Sequence, residues 1–376
     1  MGFTIPNLER YRIPLVAFLA IVIPFAAYFL RSDFIGMDSY GFLLLVCQNN
    51  NIIMDSGVTY LLFSSLPCNF LVLKGLLFVS CFVSFIFIAK MATLFSPKNG
   101  WRAAYLLLLS GVAILEFTKF ENDAFAFPFL FASQYFFFKS FKKSDRQSLF
   151  LSIALLLPAG LLWQGAVYYI FAYALHFWFI IIPLFLVTLI PTKPHPLRLD
   201  GLLGNVIRTS TIAEDMPFRF HLHFILLFGI VGVFLEPLLI PQGLMFFLMG
   251  VASAKFWVLS LPFLATGMVL LIERFKLPHL PIIILAAVLI LGQTQSVLLQ
   301  PPTQSDWQAI DYALEFDSSP KNDWGMGYWI LWRGGDTNSF GSLHRQHDLN
   351  EGVVITKKTL DCNLLNGMGQ SKVYFC

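Results

Sequence analysis

Long apolar blocks separated by short polar stretches set the pattern of this chain. A helix needs ~20 apolar residues to cross a bilayer. Blocks of that character lie at 13–30, 70–89, 103–117, 124–138, 222–240, 243–254, 256–272 and 279–299. Several are short and would span only with tilt or with neighbouring helices. Residues 149–191 form one apolar run broken by Pro158, by Trp163-Gln164-Gly165 and by Pro183, with room for two long helices or three short ones. The first block follows Glu9, Arg10 and Arg12, and no small-x-small cleavage site precedes Arg31. A retained signal-anchor helix is the expectation.

Basic residues between the blocks assign the sides, because Lys and Arg collect in cytoplasmic loops. The groups Glu9–Arg12, Lys90–Arg102 and Lys139–Arg146 fall on alternate connections and place the N-terminus inside. Residues 31–69 and 117–124 are then outside, Glu273–Lys276 inside, and the tail from about Pro301 outside. An inside start and an outside end require an odd number of spans. The run 149–191 must then supply three, for a total of about 11. The loop 192–221 falls outside too, with Lys193, Arg198, Arg208 and Arg219 arguing mildly against it.

Composition agrees with the pattern. Of 376 residues, 57% are hydrophobic and 12% charged, and 41 are Phe. Mean hydropathy is +0.70. A soluble domain carries about 25% charged residues, so this chain cannot cover a globule with polar surface. The net charge of +3 is small and spread over short clusters, which excludes nucleic acid as a partner. No internal repeat and no low-complexity tract is present. Cys47 and Cys68 share the first outer loop, Cys362 and Cys376 share the tail, and Cys81 lies in a helix. Two outer pairs and one buried thiol suit an oxidising exterior, and five unrelated free thiols is the alternative.

Carboxylates are scarce, so their positions carry information. Asp38 lies in Ile35-Gly36-Met37-Asp38-Ser39-Tyr40, Glu121 and Asp123 in Phe120-Glu121-Asn122-Asp123, and Glu214 in Thr211-Ile212-Ala213-Glu214. The topology puts all three loops on one face. Converging carboxylates make a hard oxygen site suited to Mg²⁺ or Mn²⁺. Such an ion can neutralise a pyrophosphate leaving group. For any one of these residues alone, a solvated loop position or a helix N-cap is the plainer account.

Several segments, in order, resemble the catalytic subunit of oligosaccharyltransferase, a GT-C-type membrane glycosyltransferase. They are Asp38-Ser39-Tyr40 in the first outer loop, Glu121-Asn122-Asp123 in the second, and Thr211-Ile212-Ala213-Glu214 as a full TIxE motif. Lys255-Phe256 with Pro262, and Asp323-Trp324-Gly325-Met326-Gly327 at the place of WWDYG, complete the set. The resemblance implies an all-α polytopic fold with a GT-C-like transmembrane domain over 1–300 and a small extracytoplasmic C-terminal domain over 301–376. It implies transfer of a glycan from a polyprenyl-diphosphate carrier to a protein or peptide acceptor, with inversion. Asp38, Glu121, Asp123 and Glu214 would hold Mn²⁺ or Mg²⁺. Asp38 and Glu214 would be catalytic, holding the acceptor amide. Lys255 would bind the donor phosphate and Trp324 the acceptor. The lipid bilayer is the remaining partner, and the location is a cell membrane with the active face extracytoplasmic, in a prokaryote rather than the endoplasmic reticulum.

The chain departs from that family at three places. The acidic pair begins with Glu, Lys255 stands for Arg, and Gly325 stands for the Asp of WWDYG. A rival reading is a GT-C-type enzyme using a polyprenyl-phosphate monosaccharide and a non-Asn acceptor. Transporter and inactive-partner readings rank lower, since charges sit at helix ends and the carboxylates are intact. Lys74 and Glu236, within or beside apolar blocks, are functional candidates or snorkelling side chains. Trp324, Tyr328, Trp329 and Trp332 serve either stacking with ligands or a tail core. His344 and His347, three apart, and Lys357 and Lys358 read as polar loop and headgroup-level positions.

Overall fold

The computed structural model describes residues 8–36, 38–48, 57–110, 113–176, 224–252, 256–322, 326–335, 352–356, 360, 362–368 and 371–375. The helices are α1 (Leu8–Leu30), α2 (Asp38–Gln48), α3 (Gly57–Ser64), α4 (Phe70–Phe95), α5 (Ala103–Leu106), α6 (Leu115–Thr118), α7 (Asn122–Lys143), α8 (Arg146–Leu162) and α9 (Val167–Ala174). They continue with α10 (Phe224–Val233), α11 (Ile240–Ala252), α12 (Trp257–Arg274), α13 (His279–Leu299), α14 (Gln304–Phe316) and α15 (Gly327–Trp332). Four strands close the chain: β1 (Lys321–Asn322), β2 (Val353–Thr356), β3 (Asn363–Met368) and β4 (Ser371–Phe375).

Four helical stretches among the described residues are long and apolar enough to cross a membrane: Tyr11–Leu30, Phe70–Phe95, Trp257–Arg274 and Ile283–Phe316. The last passes the cis Pro301-Pro302 bond into α14, so its apolar part is α13. The expected total of about 11 spans is not reached by these. One reason is local. The block 103–117 is not one helix, because Ser110 is extended and separates α5 from α6. Leu109-Ser110-Gly111 brings two weak helix formers together there. Another is that 177–223 lies outside the described residues. The expected break at Trp163-Gln164-Gly165 is present, between α8 and α9. The stretch 31–69, expected only as a connection, holds α2 and α3.

Large apolar side chains face outward at helical spacing: Leu15, Leu19 and Ile23 on α1, Ile153, Leu157 and Leu161 on α8, and Ile284, Val288 and Leu291 on α13. Contiguous exposed apolar surface of this kind is rare on soluble monomers and natural against lipid.

The chain divides into two compact units. The first comprises 1–25, 78–117 and 122–293. Its α7 and α8 form a hairpin in which the Asp145 carboxylate caps α8, accepting from the backbone N–H groups of Gln147 and Ser148. The Ser148 hydroxyl, then the Ser148 N–H, hold the Asp145 carboxyl below its ordinary range. Ser133 donates to the Ser152 carbonyl at 2.7 Å and shares a hydrogen bond with the Tyr173 hydroxyl at 2.6 Å. Polar contacts in this unit include groups assigned above to the inner face. The Arg12 guanidinium lies 4.0 Å over the Trp101 ring. The Glu273 carboxylate accepts from Ser96 at 2.6 Å and Asn99 at 3.2 Å. Lys142 pairs with Glu236 at 3.0 Å. Glu236 is therefore a partly exposed ion-pair partner at a helix end.

α10 and α12 approach through glycine. A Cβ at Gly229 would run into the Leu264 carbonyl, and one at Gly232 into the Gly267 carbonyl. Small residues let helix backbones come this close, as favoured between apolar helices. Gly292 on α13 has nothing within 4 Å of such a Cβ.

The second unit comprises 26–77, 118–121 and 294–376. Two cations close helix ends here. Lys74, 3% exposed, donates to the carbonyls of Tyr28 at 3.1 Å and Arg31 at 2.7 Å, at the C-terminus of α1. Its ammonium also lies 4.7 Å over the Tyr28 ring. The Arg31 guanidinium donates to the carbonyls of Val297, Leu298, Gln300 and Pro302 at 2.8 to 3.0 Å, at the C-terminus of α13. Helix C-termini leave four carbonyls without intrahelical partners and carry partial negative charge, and both cations answer that need. The Lys74 charge is thus a capping group.

Phe34 centres the aromatic packing of this unit, with Tyr28, Phe70 and Phe120 at 5.0 to 6.2 Å. Cys47 and Cys68 form a disulfide. Closing a loop of 21 residues in sequence separation contributes roughly 3 kcal/mol in the chain-entropy account. Cys362 is disulfide-bonded too, and Cys81 is a buried free thiol. Cys376 lies outside the described residues.

The tail is not all helical, as the α-only expectation had it. Its sheet runs β1-β2-β4-β3, with β1 parallel to β2 and the other pairs antiparallel. Val353-Val354-Ile355-Thr356 is a β-branched run, which suits a pleated surface. α14 packs on β2, β3 and β4. It opens with a capping box between Thr303 and Asp306. Asp306 also accepts from the Ser371 hydroxyl of β4.

Replacing Gly232 by Leu lowers thermal stability in detergent by about 3 kcal/mol through overpacking, whereas Gly292→Leu changes it little. Melting curves of the two variants check this.

Candidate functional site

The carboxylates Asp38 and Glu121 both belong to the second unit. Asp38 is the first residue of α2 and half-buried. Glu121, 5% exposed, ends the short segment 118–121. That segment runs beside the residues before α2. Ile35 and Lys119 form a parallel bridge, and the Glu121 N–H donates to the Lys119 carbonyl at 3.0 Å. The Ser39 hydroxyl donates to the Ile35 carbonyl and accepts from the Phe120 N–H at 2.8 Å. One side chain therefore joins the residue after Asp38 to the residue before Glu121.

Gly36 completes this arrangement. Its φ of +86° lies in the left-handed region, where a Cβ is disfavoured. A Cβ there would stand 3.5 Å from Glu121 Oε1 and 3.6 Å from Ser39 Oγ. Its N–H donates to the Pro301 carbonyl at 3.1 Å, tying this turn to the start of the tail.

The tail reaches the same place through α15, which packs against α2. Gly334, at φ +83°, ends α15 in a Schellman motif: its N–H donates to the Leu331 carbonyl and the Gly335 N–H to the Ile330 carbonyl, both at 3.0 Å. Burial, then the Asp38 charge, push the Tyr328 phenol up to about 12. The Tyr40 ring sits 5.3 Å from Trp307 and 5.7 Å from Trp332. Its hydroxyl accepts from the Phe34 N–H at 3.3 Å. Trp329 is 3% exposed and 6.2 Å from Trp307. The tail aromatics Tyr328 and Trp329 are thus core, one of the two roles open to them in the sequence.

Asp123 belongs to the first unit, in the first turn of α7. It is 5% exposed, and its Oδ1 accepts from the Ala124 N–H at 2.8 Å, a helix-start contact. Glu214, Lys255 and Trp324 lie outside the described residues, as do His344, His347, Lys357 and Lys358. Among the described residues no three His, Cys, Asp or Glu side chains gather as metal ligands. In kind, the carboxylate oxygens of Asp38 and Glu121 fit a hard divalent cation, with neither sulfur nor imidazole in the set. The sequence alone does not mark Gly36, Ser39 and Arg31 as working residues. Their spacing around Asp38 is visible there, but the strand-like pairing with Lys119 that gives them meaning is not.

No family model matches the sequence, and no curated protein matches it either.

Removing the Asp38 charge with Asp38→Asn lowers the titration of the Tyr328 phenol, read as phenolate absorbance against a Tyr328→Phe reference. The raised phenol also fixes a pH dependence. Its folded value lies above the ordinary 10.0, so its stabilisation is complete below that value and is lost as pH rises through about 12.

Proposed function

We propose that this chain is a multi-pass membrane glycosyltransferase of GT-C-like architecture, resembling the oligosaccharyltransferase catalytic subunit. It transfers a glycan from a polyprenyl-diphosphate carrier to an acceptor, the Asn of a protein or peptide, with inversion. One observation carries the reading. The start of α2 with Asp38, the segment bearing Glu121, and the tail helix α15 all meet in one compact unit. These are three of the places where the sequence resembles that family.

Two further observations support it. Contacts of the first unit join Arg12 to Trp101 and Ser96 to Glu273, all groups that charge bias assigns to the inner face. Contacts of the second unit join Ile35 to Lys119 and Gly36 to Pro301, all assigned to the outer face. The Cys47–Cys68 disulfide belongs to that outer set and suits an oxidising compartment. The span count of about 11 and the prokaryotic cell membrane are part of the proposal.

In this reading Asp38, Glu121 and Glu214 hold Mn²⁺ or Mg²⁺, and the sequence resemblance adds Asp123 to the set. The bound ion supplies neutralisation of charge at the pyrophosphate. Asp38 and Glu214 orient the acceptor amide, a poor nucleophile whose reaction depends on positioning and charge stabilisation. Lys255 supplies a point charge to the donor phosphate, and Trp324 borders the acceptor. Gly325, at the place of the WWDYG Asp, favours a second reading: a GT-C-type transferase using a polyprenyl-phosphate monosaccharide and a non-Asn acceptor.

Transfer of the host's lipid-linked oligosaccharide to an Asn-x-Thr peptide tests this. Activity with Mn²⁺, lost with chelator and reduced more than about 100-fold by Glu214→Ala or Glu121→Gln, is the expected result. Absence of transfer by folded protein supplied with that donor supports the second reading instead.

A further inference from the structure

We propose that Ser39 is a positioning residue that fixes the spacing of the Asp38 and Glu121 carboxylates, so that the two act on one divalent cation. The proposal rests on the reading of those carboxylates as metal ligands.

The side chain is fully buried, at 0% exposure. Its single proton goes to the Ile35 carbonyl, and its lone pair receives the Phe120 N–H at 2.8 Å. Both partners are buried as well, Ile35 at 1% and Phe120 at 0%. Water cannot replace the hydroxyl at such a place without opening the packing. Asp38 and Ser39 are consecutive in the first turn of α2, and Phe120 and Glu121 are consecutive in the neighbouring segment. The link between the two carboxylates therefore runs through one hydroxyl and two peptide units. A path that short transmits a shift of the hydroxyl directly to the relative position of the ligands.

The surroundings leave little slack. The Ile35–Lys119 bridge fixes the pairing register, and the Lys119–Glu121 turn directs the acidic residue back towards Gly36. Gly36 admits the Glu121 carboxylate at 3.5 Å from the site of a Cβ. Phe34, packed 5.5 Å from Phe120, holds the other side of the segment. Removing the hydroxyl leaves the Phe120 N–H buried without its acceptor, and the segment then relaxes towards another one. Groups that orient metal ligands act in this way, and their loss weakens metal affinity by roughly 10–100-fold.

The test is Mn²⁺ binding to the full chain in detergent, read from the electron paramagnetic resonance signal of free Mn²⁺. Wild type is compared with Asp38→Asn, Ser39→Ala and Ser39→Thr. Loss of binding in Asp38→Asn, about tenfold or greater weakening in Ser39→Ala, and recovery in Ser39→Thr support the proposal. A merely structural role would lower the number of sites per chain while leaving their affinity unchanged, and that result overturns it. So does wild-type affinity in Ser39→Ala, with the metal reading left standing. Absence of Mn²⁺ binding by wild type instead defeats the metal reading itself. Should Ser39→Ala not fold, Ser39→Cys takes its place under the same criteria.

Discussion

Carbonyl groups at the ends of apolar helices must find donors, and the second unit is organised around that constraint. Where water is scarce, each unpaired carbonyl costs several kcal/mol. Lys74 serves the end of α1, donating to Tyr28 and to Arg31. Arg31, with its own carbonyl held in this way, turns its guanidinium to the end of α13. The two cations form a relay: one side chain fixes the backbone from which the next reaches out. Burying the Lys74 charge is expensive alone, and the carbonyl dipoles and the faces of Tyr28 and Phe34 offset that cost.

The relay has a geometric consequence. The chain leaves α1 at Arg31 and reaches Asp38 within seven residues, through Phe34, Ile35 and Gly36. Phe34 packs against Phe70 and Phe120, and Ile35 pairs with Lys119. The end of α13 continues through Gln300 and Pro302, which accept from the same guanidinium, into the capping box of α14. The start of α2, the Glu121 segment and the first residues of the tail thus share one anchor. A site for a charged ligand needs groups held on rigid elements, and this arrangement provides that from short segments.

Much of this architecture is legible in the sequence, for a physical reason. Apolar length acts along the chain, so the end of α1 and the starts of α4, α12 and α13 can be read from residue order alone. α13 in particular coincides with the block expected at 279–299. Other features depend on partners far away in sequence. Whether Lys74 snorkels, functions or caps turns on the carbonyls of residues more than forty positions earlier. The break at Ser110 is a case of local propensity outweighing a block pattern. The pairing of Ile35 with Lys119, and with it the role of Ser39, involves single residues with no periodicity to reveal it.

The relay is tested most directly by a double-substitution cycle on unfolding free energy in mixed micelles, using Lys74→Met, Arg31→Met and the pair. Because Lys74 holds the backbone that aims Arg31, the two losses overlap, and the pair costs less than the sum by about 1 kcal/mol or more. Losses that add to within about 0.5 kcal/mol would show two independent caps and contradict the account.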